Sequence, residues 1–443
     1  MKQAFILTVV LLITSTGISA FDTVATEAEK SSTALSGYAR ASAWGGGSAF
    51  PMTSLFAEIS LQSEITFSKV YAETDIRLRK GYRFGEEEQL IDINKLVVGY
   101  SGKLADIRLG YQDVAWGRTD GFNPTNYLQS YDYFYLTAEP DDQSDPNLAL
   151  RTRFRLSAYT ELDLAVMPFY LPSVYRYELF DLGENVTFTE PHFPEPTLDN
   201  GSIAARLNFD FPAVGASVSA FRGYDPYHGF RVKDIDWATG TPRITNQAAS
   251  YQKTSVGADL AIPLPNIIIK AEAAWNSTDN PENAMHIPNS YWMYVGGIEA
   301  NPGSTTLIVN YIGYCNPNFT SLQIPQPNDP MNPMPQPAYA MALIDYENRL
   351  FNRRIFHQQE KFNHAASLSL LRNFSYDAWQ AQLTTYYDIT SGELMIRPVL
   401  KWNVNDQLSL TAGGNYMYGK SGTLFDYSSS VMNGAFLEFR VKF

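Results

Sequence analysis

Residues 148–158 read LALRTRFRLSA, and their alternation decides the fold class. Arg151, Arg153 and Arg155 occupy every second position, and apolar side chains fill most of the positions between them. Successive side chains of a β-strand point to opposite faces, so this segment predicts a strand with one basic face and one apolar face. Such a strand needs water on one side and an apolar medium on the other.

The same period of two recurs along the chain in segments of about ten residues that are separated by turn-forming residues. Segment 89–100 changes parity between Ile93 and Leu96, which a β-bulge would explain. Segment 304–314 carries Ile308 and Ile312 on its polar face. The eighteen predicted strands are 34–43, 55–65, 70–80, 89–100, 104–113, 148–158, 161–168, 201–211, 213–222, 250–262, 266–275, 290–301, 304–314, 363–373, 377–388, 392–402, 407–418 and 431–443.

The connections between these strands are predicted to alternate strictly between short and long. Outer-membrane barrels keep short turns on the periplasmic side and long loops outside. In lipid a sheet can span only by closing on itself, because every backbone polar group must be paired. We therefore expect an all-β fold: a transmembrane antiparallel up-and-down β-barrel of about 18 strands (16–18) with long extracellular loops. A soluble β protein is the alternative.

Tyr and Trp residues near the predicted strand ends fit the aromatic girdles of a membrane barrel. These residues are Tyr100, Tyr111, Tyr159, Tyr251, Tyr291, Trp292, Tyr311, Tyr314, Tyr387, Trp402, Tyr416 and Tyr418.

The start of the chain has the layout of a secretory signal peptide, with Lys2 before an apolar run and small residues up to Ala20. We expect residues 1–20 to be that signal, residues 21–33 a short periplasmic tail, and residues 34–443 the barrel in the outer membrane of a Gram-negative bacterium. The final Phe443 on an amphipathic strand resembles the terminal signal that the barrel-assembly machinery reads.

Composition excludes several classes of function. A single cysteine rules out an internal disulfide framework and any CxxC metal or haem motif. The net charge of −13 argues against a nucleic-acid partner. No HExxH, GxSxG or P-loop occurs, so we expect no enzymatic activity, no metal and no cofactor.

The arginines at alternate positions are the candidate selectivity residues. Each would cost roughly 2–4 kcal/mol if it faced lipid near the midplane, so the lumen is the expected direction. Guanidinium groups bind carboxylates and phosphates through paired hydrogen bonds. The alternative is that they pair with luminal carboxylates such as Asp106 and Asp163 and only brace the wall. The predicted pore-lining set is Arg77, Arg79, Arg108, Arg151, Arg153 and Arg155.

The segment 114–147 contains too many aromatic residues for a disordered loop, so we expect it to fold inward against the barrel wall. Its acidic later half would then face a basic wall and create a transverse field across the pore. The alternative is a folded loop that caps the outside. The predicted constriction residues are Trp116, Arg118, Asp120, Asp141 and Asp142.

A second long loop begins with seven prolines in residues 316–337, which predict extended chain. Residues 338–356 then predict an amphipathic helix, with Leu343, Tyr346, Leu350 and Phe351 on one side. This loop is either a lid or a second constriction.

The stretch WGRTDGFNPT at 116–125, followed by EPDDQ at 139–143, resembles a recurring loop in Gram-negative outer-membrane proteins. The arginine-lined plan of eighteen strands is similar to alginate-export channels. We expect a porin-like channel for passive or loop-gated passage of small anionic or acidic polymeric solutes, in contact with outer-membrane lipid and lipopolysaccharide and compatible with a homo-oligomer. The alternative is a structural barrel that sheathes a partner protein, as in porin-cytochrome conduits, without a free pore.

Overall fold

Eighteen antiparallel strands form one closed sheet in a computed structural model that describes residues 31–180, 182–238, 240–327 and 336–443. Each strand pairs with its neighbours in chain order, and the first strand closes the ring by pairing with the last, which places Arg40 opposite Arg440. The predicted barrel is therefore confirmed. The strands are β1 (Ser31–Gly45), β2 (Met52–Phe67), β3 (Val70–Arg83), β4 (Glu86–Ser101), β5 (Ala105–Gln112), β6 (Asn147–Ser157), β7 (Thr160–Met167), β8 (Ser202–Phe211), β9 (Val214–Tyr224), β10 (Gln252–Pro263), β11 (Ile267–Thr278), β12 (Tyr291–Ala300), β13 (Thr305–Cys315), β14 (Phe362–Phe374), β15 (Trp379–Asp388), β16 (Glu393–Asn403), β17 (Leu408–Tyr418) and β18 (Gly434–Lys442).

The alternation of side chains gives the cylinder an apolar outside and a polar inside. On β2, Leu55, Ile59 and Leu61 are exposed on the outer face, whereas Glu58 and Ser60 are buried toward the lumen. An apolar outer band around a polar interior is the architecture of outer-membrane barrels, so the outer face of this chain is the one that meets lipid.

The predicted bulge in β4 is confirmed. Asp75 on β3 lies opposite Lys95, but the next residue, Ile76, lies opposite Ile93, so Asn94 is the extra residue. This insertion explains the change of parity within β4, because one added residue moves the following side chains to the other face.

The two ends of the barrel differ in their connections. The short ones, of two to four residues, are 68–69, 102–104, 158–159, 212–213, 264–266, 301–304, 375–378 and 404–407. The opposite end carries the long loops. The predicted strict alternation of short and long connections is nevertheless wrong, because the connections 84–85 and 389–392 at this end are also short. Phe84 and Gly85 form a two-residue hairpin loop. Both have positive φ, 52° and 82°, as a tight hairpin turn of this length requires.

The ends of the chain differ slightly from the prediction. β1 begins at Ser31, inside the predicted tail 21–33, while the predicted signal peptide and residues up to 30 lie outside the described residues. β18 begins at Gly434 rather than at residue 431, because helix α2 (Leu424–Met432) precedes it. The Thr423 side chain caps this helix by accepting from the Asp426 N–H.

The outer end also carries helix α1 (Pro337–Ile355) and a three-stranded sheet of Val186–His192, Arg243–Ala249 and Gly229–Asp236. The predicted helix is present, but Ile344, Asn348 and Asn352 are buried beside Phe351, whereas the predicted Leu343, Tyr346 and Leu350 are only half-buried. Residues 328–335 of the proline-rich segment lie outside the described residues. Among the helices that are described, none is both long and apolar enough to cross a membrane.

Candidate functional site

The loop 113–146, between β5 and β6, lies inside the barrel. Trp116 and Tyr127 are each only 1% exposed, and they pack with Phe221 on β9. The wall residues around them are mostly alanines, whose small side chains leave the space that the loop's rings occupy. These are Ala149, Ala165, Ala204 and Ala274. The loop therefore folds inward, as its aromatic content predicts.

The tip of this loop binds one buried wall carboxylate, Glu272 on β11. Glu272 accepts hydrogen bonds from the backbone N–H groups of Arg118 (3.0 Å), Thr119 (3.3 Å) and Thr125 (2.7 Å). It also accepts from the hydroxyls of Thr119 (3.0 Å) and Thr125 (2.8 Å). Five donors on one carboxylate make a strong anchor, since hydrogen bonds to charged groups are stronger than neutral ones.

The motif WGRTDGFNPT supplies the geometry of this anchor. Gly117 has φ +112°, and a Cβ there would lie 2.8 Å from Glu272 Oε1 and 2.7 Å from Asn123 Cβ, so only glycine fits. The turn at Asn123, closed by the Asn126 N–H donating to the Asn123 carbonyl at 3.0 Å, brings Thr125 back to the same carboxylate. The motif is thus the sequence of a loop that wraps around a wall glutamate.

Three further side chains hold the tip against the wall. Arg118 donates to Asp259 and to Asp210, both at 2.6 Å. Asp120 accepts from Lys270 at 2.5 Å. Trp116 donates from its indole nitrogen to Asp163 at 3.1 Å. The predicted constriction residues Trp116, Arg118 and Asp120 therefore all contact the lumen wall.

The returning part of the loop, residues 133–142, lies against the opposite arc of the ring. Asp142 binds Arg40 at 2.5 Å and Arg77 at 3.0 Å. Glu139 binds Lys401 on β16 at 2.9 Å. The acidic half of the loop is thus in direct contact with basic wall residues instead of facing them across a gap.

Asp141, also predicted as a constriction residue, is placed differently. It is exposed within the 3-10 turn Pro140–Gln143, and its carboxylate has no ion-pair partner within the described ranges.

Glu58 on β2 lies at the centre of a buried ion network in the wall that contacts the returning part of the loop. It binds Arg40 and Arg79, each at 2.7 Å, and the side chains of these three residues are 0%, 0% and 3% exposed. Tyr135 of the loop donates to Glu58 at 2.9 Å, and its ring centroid lies 3.8 Å from the Arg79 guanidinium carbon. Arg79 is therefore placed as a structural partner of the loop, and Arg77 holds the loop through Asp142.

The arginines of β6 are paired with carboxylates that lie beneath them. Arg151 binds Asp163 at 2.6 Å, and Arg153 binds Asp106 at 3.1 Å. The two carboxylate side chains are 2% and 7% exposed, whereas the two arginines are 19% and 31% exposed. The wall therefore presents the guanidinium groups to the lumen and hides the carboxylates.

The two remaining predicted arginines occupy the same arc. Arg108 on β5 lies 3.6 Å from Glu73 and 3.5 Å from Asp106. Arg155 is exposed and donates to the backbone carbonyl of Gly102 at 2.5 Å. All six predicted arginines have partners in the protein, as the bracing alternative expects, and their role in selecting anions stays a prediction.

The sequence reading missed the wall residues that hold the loop: Arg40, Glu58 and Glu272. A signal was present at Glu272, which is a single charged residue among the small side chains of the stretch AEAAW at 271–275. Small neighbours on an inward face leave room for a docked segment, and a lone carboxylate there needs donors from outside its own sheet.

Three residues assigned to the aromatic girdle lie elsewhere. Tyr251 is 4% exposed and buried under the outer loops, and Tyr291 and Tyr314 point into the lumen. Trp292, next to Tyr291, is 45% exposed on the outer face. The parity of the strand, rather than closeness to its end, decides which aromatic residue meets lipid.

An aromatic cluster at the outer end surrounds His228. The imidazole makes edge contacts with the rings of Tyr175, Phe193 and Phe230, at centroid distances of 5.4, 5.1 and 5.4 Å. Burial lowers the pKa of His228 to about 4, although Asp225 acts in the opposite direction. Burial together with Arg231 also lowers the pKa of His286 to about 4. Both groups are neutral at pH 7.

Acidification is expected to loosen this cluster. Each folded-state pKa lies below the ordinary value of about 6.5, so the stabilisation is complete above pH 6.5 and is lost as the pH falls toward 4. The loss reaches up to about 3 kcal/mol for the buried His228 and is smaller for His286, which solvent partly screens. Hydrogen exchange of residues 225–236, corrected for intrinsic rates, should rise across this interval. The double variant His228→Phe, His286→Phe should lose most of that response, and an unaltered response would contradict the assignment.

Comparison with known proteins supports the architecture. No family model and no curated protein matches the sequence. Among solved structures, the chain is similar to Pseudomonas aeruginosa OpdK with vanillate (TM-score 0.52, 8% identity, 93% of this chain and 98% of that one). It is also similar to Pseudomonas aeruginosa OccK3 (OpdO) (0.50, 12%, 93% and 95%) and to Acinetobacter baumannii OccAB4 (0.50, 9%, 94% and 98%). At these identities the likeness shows the fold, an outer-membrane β-barrel.

Proposed function

We propose that this chain is a porin-like channel of the outer membrane that passes small anionic solutes by passive diffusion, with loop 113–146 setting the aperture. An eighteen-strand ring is wide enough to enclose water, and the inward loop narrows it.

One observation carries the preference for anions. Arg151 and Arg153 lie over Asp163 and Asp106, so a passing solute meets guanidinium groups while the carboxylates stay covered. Exposed positive charge in a water-filled passage raises the local concentration of anions and lowers that of cations. OpdK, one of the similar barrels, was solved with vanillate, whose carboxylate belongs to the same solute class.

The test reverses the charge of this pair. The double variant Arg151→Glu, Arg153→Glu should move the reversal potential in a salt gradient toward that of a cation-selective pore. The matched control, Arg243→Glu with Arg349→Glu, changes the same number of charges on the outer sheet and on α1 and should leave the selectivity nearly unchanged. A channel that does not conduct, or one whose selectivity ignores the β6 change, would contradict the proposal.

The sheath around a partner protein has less support. Trp116, Tyr127 and the rest of the inward loop occupy luminal space that a threaded protein would need. Passage of acidic polymers, a homo-oligomer and the likeness to alginate-export channels stay predictions.

A further inference from the structure

The lumen has two chemically different walls that face each other. Because eighteen strands close in chain order, each strand lies opposite the one nine places further along, so β5 faces β14. The arc around β5 carries the ion pairs described above. The arc of β13 to β15 carries no Asp, Glu, Lys or Arg at its described lumen-facing positions below Asp388 at its outer end.

This uncharged wall begins on the periplasmic side of the place where the tip of the inward loop contacts it. Asn310 on β13 donates to the backbone carbonyl of Asp120 at 3.0 Å, and Phe122 stacks on Tyr386 with a centroid distance of 5.4 Å. Below these contacts the wall is half-buried and open to the lumen. Its polar members there are Ser369, Asn373, Gln380, Gln382 and Thr384.

The amides and hydroxyls of this wall keep much of their hydrogen-bonding capacity. Gln380 donates to Asn373 at 3.1 Å, and Gln382 donates to the Thr384 hydroxyl at 3.4 Å. Within the described chain, the Ser369 hydroxyl and the carbonyl oxygen of the Gln382 side chain have no hydrogen-bond partner. Each primary amide brings both donors and an acceptor, so the wall can exchange its water for the hydroxyl groups of a solute.

We propose that the preferred solutes are hydroxyl-rich carboxylates, the class of sugar acids. The inference rests on the proposed anion channel and adds a role for the uncharged wall in choosing among anions. The guanidinium groups around β5 attract the carboxylate, and the amide and hydroxyl wall around β14 hydrogen-bonds the hydroxyls. A purely aliphatic acid satisfies the first wall alone and gains nothing from the second.

Three six-carbon solutes separate the contribution of the carboxylates from that of the hydroxyl groups. Glucarate and adipate are both dicarboxylates and differ in the hydroxyls, while sorbitol keeps the hydroxyls and lacks the charge. Reversal potentials under bi-ionic conditions give the glucarate-to-adipate permeability ratio, and liposome swelling gives the entry of sorbitol. We expect the ratio to favour glucarate by about threefold to tenfold, as for one or two neutral hydrogen bonds.

The variant Gln382→Leu, Ser369→Ala should bring this ratio close to its value in free solution while the chloride selectivity and the KCl conductance stay the same. Unchanged conductance and heat-modifiable migration in gels show that the variant barrel is folded. If both acids enter ahead of sorbitol but show no difference in wild type, the sugar-acid inference is overturned and the anion channel survives. If sorbitol enters ahead of both acids, the proposed function itself fails.

Discussion

Glu272→Ala should release the tip of the inward loop and produce a larger, noisier single-channel current. The substitution removes the acceptor of the backbone N–H groups of Arg118, Thr119 and Thr125 and of the Thr125 hydroxyl. The Thr119 hydroxyl keeps the Phe122 carbonyl as an acceptor at 2.6 Å. Hydrogen bonds to a charged group contribute roughly 1.5–3 kcal/mol each. Even a small part of that total shifts the docking equilibrium by about a hundredfold or more, because each 1.4 kcal/mol is tenfold.

The control for this prediction is Glu64→Ala, which removes an exposed luminal carboxylate from the periplasmic half of β2. Among the described contacts, Glu64 forms no hydrogen bond or ion pair with the loop. Its current should stay steady and close to that of wild type. Glu272→Gln, which keeps an acceptor but loses the charge, should lie between the two. If Glu272→Ala conducts like wild type without added noise, the loop does not set the aperture through this anchor.

Glu58→Ala is expected to lower the free energy of unfolding of the barrel. It removes the shared partner of Arg40 and Arg79, which are almost fully buried, and leaves Tyr135 without its acceptor. Removing one partner of a buried ion pair costs roughly 3–5 kcal/mol when the remaining charge has no other partner. Arg40 keeps Asp142 at 2.5 Å, whereas Arg79 keeps only the more distant Glu88 at 3.7 Å, so we expect a loss toward the lower end of that range. The measurement is the urea or thermal midpoint of the folded band in a heat-modifiability gel.

Glu64→Ala serves again as the control, six positions along the same strand. Glu64 is exposed, so its removal should change the free energy of unfolding by less than about 0.5 kcal/mol. Equal midpoints for the two variants would show that the network around Glu58 does not hold the wall and the returning part of the loop together.

The sequence predicts the barrel well, because its signal is local. Strand parity requires only neighbouring residues, and it places Arg151 and Leu150 on opposite faces without reference to any other strand. The parity break between Ile93 and Leu96 reports the bulge at Asn94 for the same reason. The hairpin at Phe84 was missed because Phe-Gly is a weak turn signal, and its two positive φ angles depend on how β3 and β4 pair.

The site is less predictable, because its contacts join distant parts of the chain. Arg118 and Glu272 are separated by 154 positions, and Lys401 and Glu139 by 262. Aromatic content indicates that the loop folds inward, but nothing local shows which wall carboxylate binds its tip. Strand parity places Arg151, Arg153 and Arg155 on one face, whereas the carboxylates that pair with Arg151 and Arg153 emerge only once β5, β6 and β7 are side by side.

The most direct test of the whole account is the reversal potential of the wild-type protein in a planar bilayer under a KCl gradient. Guanidinium groups that lie over covered carboxylates predict discrete steps with a potential displaced toward the equilibrium value for chloride. A displacement toward the value for potassium, or the absence of any conducting steps from folded protein, would contradict it.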